Sequence, residues 1–533
     1  FPDRVLFRDL THQDSGQWSY ERIRRRVRET AAVFLDRGRP APDDGRPLRV
    51  ALLSANSIGG ACVDLACLCH DIFITPLDVH SSLENLVWIF DRLDITTAVC
   101  DTPDRLERLL AARERCRRPF RIFTLMPDEP AAGEDVHFLD RGRAALSGAD
   151  VDAILADRPR LGLRDPATVM FTSGSTGRPK GVLFTQLNLV SKRFARAAAL
   201  PEVGRDEIML CYLPLYHTFG RYLEMLGTIF WGGTYVFAGN PSAETLLAQL
   251  KEVRPTALIS VPVRWVQIRD RIVDLQREHA GGTESAEVFR SVVGDRLAWG
   301  LSAAGWLDPK VFRFFHRHGV KLCSGFGMTE ATGGITMTVP GGYVENSLGT
   351  PLPGIEAELA GDGELVIRGP YVMIGYLKDP EGRPSFDDDG WFHTGDLMGR
   401  DANGQFHMVD RKKEIYKNVK GQTIAPQKVE NLFRDFESVA RIFLVGDHRP
   451  YNTALIYPNY KFEEVDLASL SSSELKAHYR SLVVSANAFL APFERIIDFA
   501  VIDRDFDLDH GELTPKGTFR RKIIERGFAD IIK

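Results

Sequence analysis

The chain has 533 residues, 44% hydrophobic and 26% charged, which is the make-up of an ordinary globular protein with room for three or four structural units. Its 67 basic and 72 acidic residues leave a net charge of −5, which excludes an electrostatic case for nucleic acid or for an anionic membrane. Seven cysteines form no disulfide framework and fit a reducing cytoplasm, and no apolar run reaches the roughly 18 residues a membrane span requires.

The chain opens at Phe1 rather than Met, so a targeting segment upstream is left open. In chain order, Trp18 to Arg22 leads into an Arg-rich helix ending near Leu35, and the Gly-, Pro- and Asp-dense stretch from Asp36 to Pro47 reads as a connector. Leu48–Leu53, Phe73–Leu77 and Thr97–Cys100 read as strands, with helices near 58–70 and from Ser82 to Leu93 between them. Strands alternating with helices predict parallel α/β sheets. The pattern resumes with a strand over 182–185 and a helix from about Asn188 to Leu200. Cys67-Leu-Cys69-His70 lacks a second Cys/His pair at ligand spacing, so a buried helix carrying thiols is the reading there. The apolar run from Tyr222 to Ala238 suits either a pocket wall or plain core. A helix follows Asp308-Pro309 and stops at Gly319, and a strand begins at Lys321. Ser469–Ser473 reads as a polar connector.

The most informative stretch is Thr172-Ser173-Gly174-Ser175-Thr176-Gly177-Arg178-Pro179-Lys180-Gly181, which follows the apolar run Ala167–Phe171. Backbone N–H groups of a glycine-rich turn make a concave anion site, hydroxyls add donors and Lys180 adds a mobile point charge. A Walker loop it is not: the sixth position from Gly174 is Pro179, and Gly181 follows the lysine. The string closely resembles the signature loop of the adenylate-forming superfamily, the acyl-CoA synthetases, luciferases and adenylation domains, in which it grips the β- and γ-phosphates of ATP.

Other segments resemble that superfamily in its order. Tyr212-Leu-Pro-Leu-Tyr-His217-Thr-Phe-Gly220 is similar to the aromatic/histidine motif beside the carboxylate pocket, and with the residues that follow it looks most like the long-chain fatty acyl-CoA synthetase branch. Ser324-Gly325-Phe326-Gly327-Met328-Thr329-Glu330 resembles the adenine and magnesium motif. The resemblance implies that Phe326 stacks on adenine, that Thr329 reaches the α-phosphate, and that Glu330, with Thr172, serves Mg²⁺. Upstream, Ala304 stands in Ser302–Gly305 where relatives have a glycine-rich strand, which implies a slightly narrower adenine channel. Gly390–Asp396 resembles the ribose motif, with Asp396 accepting both hydroxyls. Val409–Ile415 matches the interdomain hinge: Arg411 contacts ribose or phosphate and Lys413 is the pivot.

Adenylation brings a carboxylate onto a phosphate, so a cation is needed at the point of attack. Relatives supply it from a C-terminal loop, which here reads Glu512-Leu-Thr514-Pro515-Lys516-Gly517-Thr518 and leads to Arg521. Thr518 stands where the long-chain branch carries its lysine, and Lys516 lies two residues earlier. Either Lys516 supplies the charge, or adenylation is slow and the chain serves another activity.

The resemblance implies an α/β fold: a large N-terminal AMP-binding domain (1–410) of parallel sheets with an added β region, and a small mobile α+β domain (411–533) behind a hinge at 410–414. It implies activation of a fatty or other apolar carboxylic acid by ATP and Mg²⁺, then transfer to CoA. His217, Arg411 and Lys516 are the expected catalytic residues. The alternatives are a carrier-protein thiol or an intramolecular hydroxyl as acceptor, or a weakened nucleotide- or acyl-binding homologue. No nucleic-acid partner is expected, and peripheral membrane contact is left open.

Overall fold

A computed structural model describes residues 1–11, 16–40, 45–127, 136–172, 178–239, 242–278, 285–377, 385–433, 436–462, 465–514 and 518–532. Two large sheets dominate its first four hundred residues. In one, eight strands run in the order Gly375–Tyr376, Lys180–Thr185, Pro166–Thr172, Phe73–Pro76, Arg49–Leu53, Thr97–Cys100, Arg121–Thr124 and Val136–Phe138. From Pro166–Thr172 onward its neighbours are parallel, and Thr97–Cys100 is buried at every position. That is what helices on both faces require. The connecting helices start on side-chain caps that sequence supplies: Ser57, Ser82 and Thr102 each accept from a backbone N–H three residues ahead.

The second sheet has nine described strands, with Lys321–Met328, Trp299–Ser302, Ala257–Ser260, Ile208–Cys211, Thr234–Phe237 and Val5–Asp9 parallel at its centre. Gly333–Met337 closes one flank by folding back antiparallel on Lys321–Met328. A four-stranded antiparallel sheet follows, from Glu356–Leu359 to Phe406–Arg411. The C-terminal part holds Val439–Val445 and Asn452–Pro458 as an antiparallel pair, with Ile496–Val501 parallel to the latter and the helix Ser472–Asn487 packed on it.

The fold is therefore a large α/β part with parallel sheets and an added β region, plus a smaller C-terminal part of helices and strands. The buried apolar clusters fall into two sets, one within residues 6–406 and one within 424–528. The structure refines three readings. The strand that begins at Lys321 runs on through the glycine-aromatic motif to Met328. Tyr222–Ala238 resolves into a π-helical turn (Phe219–Met225), the helix Leu226–Trp231 and the strand Thr234–Phe237. Ser469–Ser473 is not merely a connector, because Ser471 caps the helix Ser472–Asn487 in a reciprocal box with Glu474. No helix among the described residues is long and apolar enough to cross a membrane.

Candidate active site

Thr172 ends one strand and pairs in register with Lys180, which begins the next. The intervening Ser173, Gly174, Ser175, Thr176 and Gly177 lie outside the described residues. Beyond Lys180 the sheet gains one more short strand, and this brings in a residue that the motifs did not indicate. Tyr376 pairs with Val182, places its ring centroid 5.3 Å from Lys180 Nζ, and donates its hydroxyl to Glu330 Oε1 at 2.8 Å. One tyrosine thus joins the phosphate-loop lysine to the carboxylate expected to serve the metal. Fixing one carboxylate oxygen orients the other, as an outer-shell partner does for a metal ligand.

Glu330 sits in the tight turn Thr329–Ala331, 9% exposed, and its carbonyl accepts from Met373 N at 2.7 Å. The turn is also held from the interior. Lys192 Nζ, with no exposure, donates to Ala331 O at 3.3 Å and to Gly334 O, and lies 4.0 Å from the Tyr371 ring centroid. Burial pushes this ammonium well below the usual lysine range, and Arg196 and Arg193 push it the same way.

Phe326, flanked by Gly325 and Gly327, is half-buried on the Lys321–Met328 strand, and Met328 ends that strand. Both glycines are required by the close approach of Gly333–Met337. A Cβ on Gly325 would stand 2.9 Å from Thr336 O, and one on Gly327 would collide with the Gly333 carbonyl. Ala304 has a left-handed backbone, φ +70°, a conformation that glycine adopts freely and alanine does not.

Asp396 and Arg411 are directly opposite each other on the strands Phe392–Arg400 and Phe406–Arg411. Asp396 is 3% exposed, its Oδ1 receives no hydrogen bond among the described residues, and Arg411 Nε approaches that oxygen to 3.1 Å without hydrogen-bond alignment. Burial raises the Asp396 carboxyl to about 6, against the pull of Arg411 and Lys413, while the charge of Glu330 adds to the rise. The structure therefore brings Asp396, Arg411, Lys413 and Glu330 into one electrostatic neighbourhood. Next to it, buried Glu364 accepts from His393 Nδ1 at 3.0 Å, Gly395 N at 2.8 Å and Lys412 Nζ at 2.7 Å. Burial opposes its charge, but these donors outweigh burial and hold Glu364 below the usual carboxylate range.

His217 occupies the turn before the π-helical segment. Its N–H donates to Pro214 O at 3.0 Å and its Nδ1 accepts from Phe219 N at 3.4 Å. Lys413 is exposed in the turn after Phe406–Arg411. Lys516 lies outside the described residues. Flanking it, Thr514 N donates to Thr518 O at 2.9 Å and the two threonine hydroxyls are 2.6 Å apart. Arg521 is anchored by both Glu430 oxygens at 2.7 Å and by Leu444 O at 3.2 Å.

Two family models cover this arrangement: the AMP-binding enzyme model matches residues 1–377 and the AMP-binding enzyme C-terminal domain model matches 414–533. The chain belongs to the AMP-binding enzyme family. It is an adenylate-forming ligase. A long-chain-fatty-acid–CoA ligase of Mycobacterium bovis is 26% identical over 100% of this chain and 94% of its own length. Long-chain-fatty-acid–CoA ligase 1 of Homo sapiens is likewise 26% identical, over 96% of this chain and 81% of its own. Among solved structures, ATP-bound MatB from Rhodopseudomonas palustris superposes with a TM-score of 0.78 at 21% identity, covering 100% of this chain and 97% of that one. An anthranilate CoA ligase in complex with anthranoyl-AMP does so with a TM-score of 0.76 at 15% identity, covering 100% and 95%. At these identities the structural neighbours establish the fold.

Proposed function

We propose that this ligase activates a fatty carboxylic acid with ATP and passes the acyl group to the thiol of CoA. The observation that carries the nucleotide half is Asp396, a buried carboxylate with an oxygen that receives no hydrogen bond among the described residues, set beside Arg411 and within the field of Glu330. Two ribose hydroxyls would satisfy that acceptor. The fatty acyl group and the CoA acceptor are supported by full-length relatives that are named long-chain-fatty-acid–CoA ligases.

In the first step a substrate carboxylate oxygen bonds to the α-phosphorus of ATP, the bond to the β-phosphate breaks, and pyrophosphate leaves. In the second, the CoA sulfur bonds to the acyl carbon, AMP departs, and the thiol proton goes to solvent. Phe326 stacks on the base, Asp396 and Arg411 hold the ribose, Thr329 reaches the α-phosphate, and the 172–180 loop holds the departing pyrophosphate. Glu330 and Thr172 would hold Mg²⁺, whose role is to neutralise phosphate charge. The donor set fits that ion: Tyr376 occupies one Glu330 oxygen and orients the carboxylate, and a hydroxyl joins it. Lys516 is assigned the cation at the point of attack.

The same reading divides the enzyme into 1–410 and 411–533 with a pivot at 410–414. It is supported by the two separate sets of buried clusters and by opposed anchors at the junction. Lys412 bonds Glu364 and Asp362 on one side, whereas Asp410 Oδ2 accepts from Gln427 N at 2.8 Å on the other.

ATP–pyrophosphate exchange over a panel of carboxylic acids tests the first half-reaction, and AMP release with and without CoA tests the second. Exchange that depends on a fatty acid, with AMP release that depends on CoA, is expected. Exchange without CoA-dependent release points to a carrier-protein thiol or an internal hydroxyl as acceptor. Nucleotide binding without exchange leaves a binding homologue, the outcome that Thr518 motivates. Lys516→Ala should depress exchange about 10²–10³-fold and spare thioester formation from supplied acyl-AMP.

A further inference from the structure

Where the strand Phe392–Arg400 carries Asp396, its pairing with the strand Glu364–Arg368 is interrupted. Val366 pairs with His393 and Glu364 with Leu397, so Thr394, Gly395 and Asp396 all lie opposite the single residue Leu365. A bulge of this kind takes backbone groups out of the ladder and re-aims a side chain. Side chains then supply what the ladder gives up. Thr394 Oγ1 donates to Leu365 O at 2.7 Å and accepts from Asp396 N at 3.2 Å. Gly395, at φ +76°, donates its N–H to Glu364 Oε1 at 2.8 Å. The residue that aims at the nucleotide thus sits on a distorted segment pinned by Thr394 and Glu364.

The second Glu364 oxygen is committed elsewhere. Oε2 accepts from Lys412 Nζ at 2.7 Å and from His393 Nδ1 at 3.0 Å. Lys412 is attached once more, through its own N–H to Gly395 O at 2.8 Å. Glu364 and Lys412 therefore hold the N–H and the carbonyl of Gly395, and also hold each other. Lys412 meets Asp362 as well, at 2.8 Å, but both side chains of that pair are half exposed, where an ion pair contributes little. The Glu364 side chain is 4% exposed, so its bonds are the ones that count. Along the chain, Lys412 lies between Arg411, the partner of Asp396, and the exposed Lys413. After Lys413 the contacts pass to the C-terminal part, with Glu414 lying 3.7 Å from the anchored Arg521.

We infer that Glu364 is a positioning residue with two attachments: through Oε1 and Gly395 it sets Asp396 for the ribose, and through Oε2 and Lys412 it fixes the chain immediately before the pivot. Occupancy of the nucleotide site and movement of the C-terminal part are then coupled at one carboxylate, and the coupling is reciprocal. This rests on the reading above of Asp396 as the ribose ligand and of 410–414 as the pivot.

Glu364→Gln, Glu364→Ala and Lys412→Met separate the two attachments. Glutamine keeps an acceptor for Gly395 N and loses the charge that holds Lys412, which has Asp362 and solvent to turn to. In the Gln and Met variants the KM for ATP in pyrophosphate exchange should stay within about twofold of wild type, while thioester formation from supplied acyl-AMP falls about tenfold. The Ala variant should in addition raise the KM for ATP about tenfold. Tryptic cleavage within 411–413 should be faster in the Gln and Met variants without ligand, and AMP should slow it in wild type only, because cleavage follows the population of the open segment.

Equal loss in both half-reactions of the Gln and Met variants, or loss in neither, overturns the inference and leaves Asp396 as the ribose ligand. A Gln variant as weak for ATP as the Ala variant overturns it too. Absence of AMP binding by wild type overturns the nucleotide reading, whereas faster ligand-free cleavage of the Gln and Met variants would still establish the hold on the pivot. Where the Ala variant does not fold, the Gln and Met pair decides.

Discussion

Arg221 and Arg193 have Tyr222 as a common neighbour, yet the chain treats them in opposite ways. Arg221 has no exposure, and its fork is filled: Nε to Asp64 Oδ2 at 2.8 Å, Nη2 to Asp64 Oδ1 at 2.6 Å, and Nη1 to Thr168 Oγ1 at 2.8 Å. Burial works against its charge, and Asp64 more than offsets this, so Arg221 is raised above the ordinary arginine range. Arg193 is almost as deeply buried and has no such partner among the described residues. The difference lies in where the counter-charge comes from. Asp64 is part of the fold and makes Arg221 structural, whereas no carboxylate among the described residues answers Arg193, and Asp396 Oδ1 has the charge of Arg411 beside it but receives no hydrogen bond among them.

The largest effect expected is at the paired site. Asp64→Ala should lower stability by about 3–5 kcal/mol, because it leaves Arg221 buried and uncompensated. Urea denaturation measures this, and a loss below about 1 kcal/mol would erase the contrast with Arg193. Next, Asp396→Asn should weaken AMP binding about 100-fold and at the same time stabilise the free enzyme. The folded carboxyl, at about 6, exceeds the 3.8 of the unfolded chain, so the folded state binds the proton more tightly. Its contribution to stability grows as pH falls from about 6 towards 4, and at pH 7 the ionised group is a penalty of up to about 3 kcal/mol. Calorimetry of D396N at pH 7 should show a higher Tm. AMP affinity, which needs the ionised form, should be flat above pH 6 and fall below it in wild type only.

Tyr376→Phe tests a fully satisfied contact. Losing the bond to Glu330 should reduce kcat/KM for ATP about five- to tenfold, equivalent to about 1 kcal/mol, and should raise the Mg²⁺ concentration needed for half-maximal rate. The smallest effect is at Ala304. Glycine there relieves the left-handed alanine but loosens the unfolded chain, so Ala304→Gly should gain about 0.5 kcal/mol; a loss would mean that the methyl group packs productively.

These contrasts also mark what the sequence could reveal. Thr172, Lys180, Phe326, Glu330, Asp396 and Arg411 each stand in a short contiguous motif, which is why sequence alone can single them out as candidates; the structure sets them at strand ends, inside strands and in one turn. The parallel sheets were legible for the same reason, through short apolar runs between helical patterns. Tyr376 was not, since its partners Lys180 and Glu330 come from distant segments that only the folded sheet edge brings together. Lys192, Arg193 and Arg196 were hidden by the period rule itself: charge on a helix predicts solvent, and here Phe194 takes the solvent side instead. Asp64 and Arg221 are ordinary residues in sequence and become a pair only when the helix Ile58–Cys69 meets the π-helical segment.

The division of the buried clusters at residues 406 and 424 has a thermodynamic consequence. Two cores that share no residue need not melt together, so a single Tm is not guaranteed to describe this enzyme. Phe326, Glu330 and Asp396 all belong to the first core's half. A bound nucleotide should therefore move that half's transition by mass action and leave the other in place, unless the C-terminal part docks on it as the proposed two-domain reading requires. The separation between two calorimetric peaks then becomes a direct gauge of domain engagement, readable without following the chemistry.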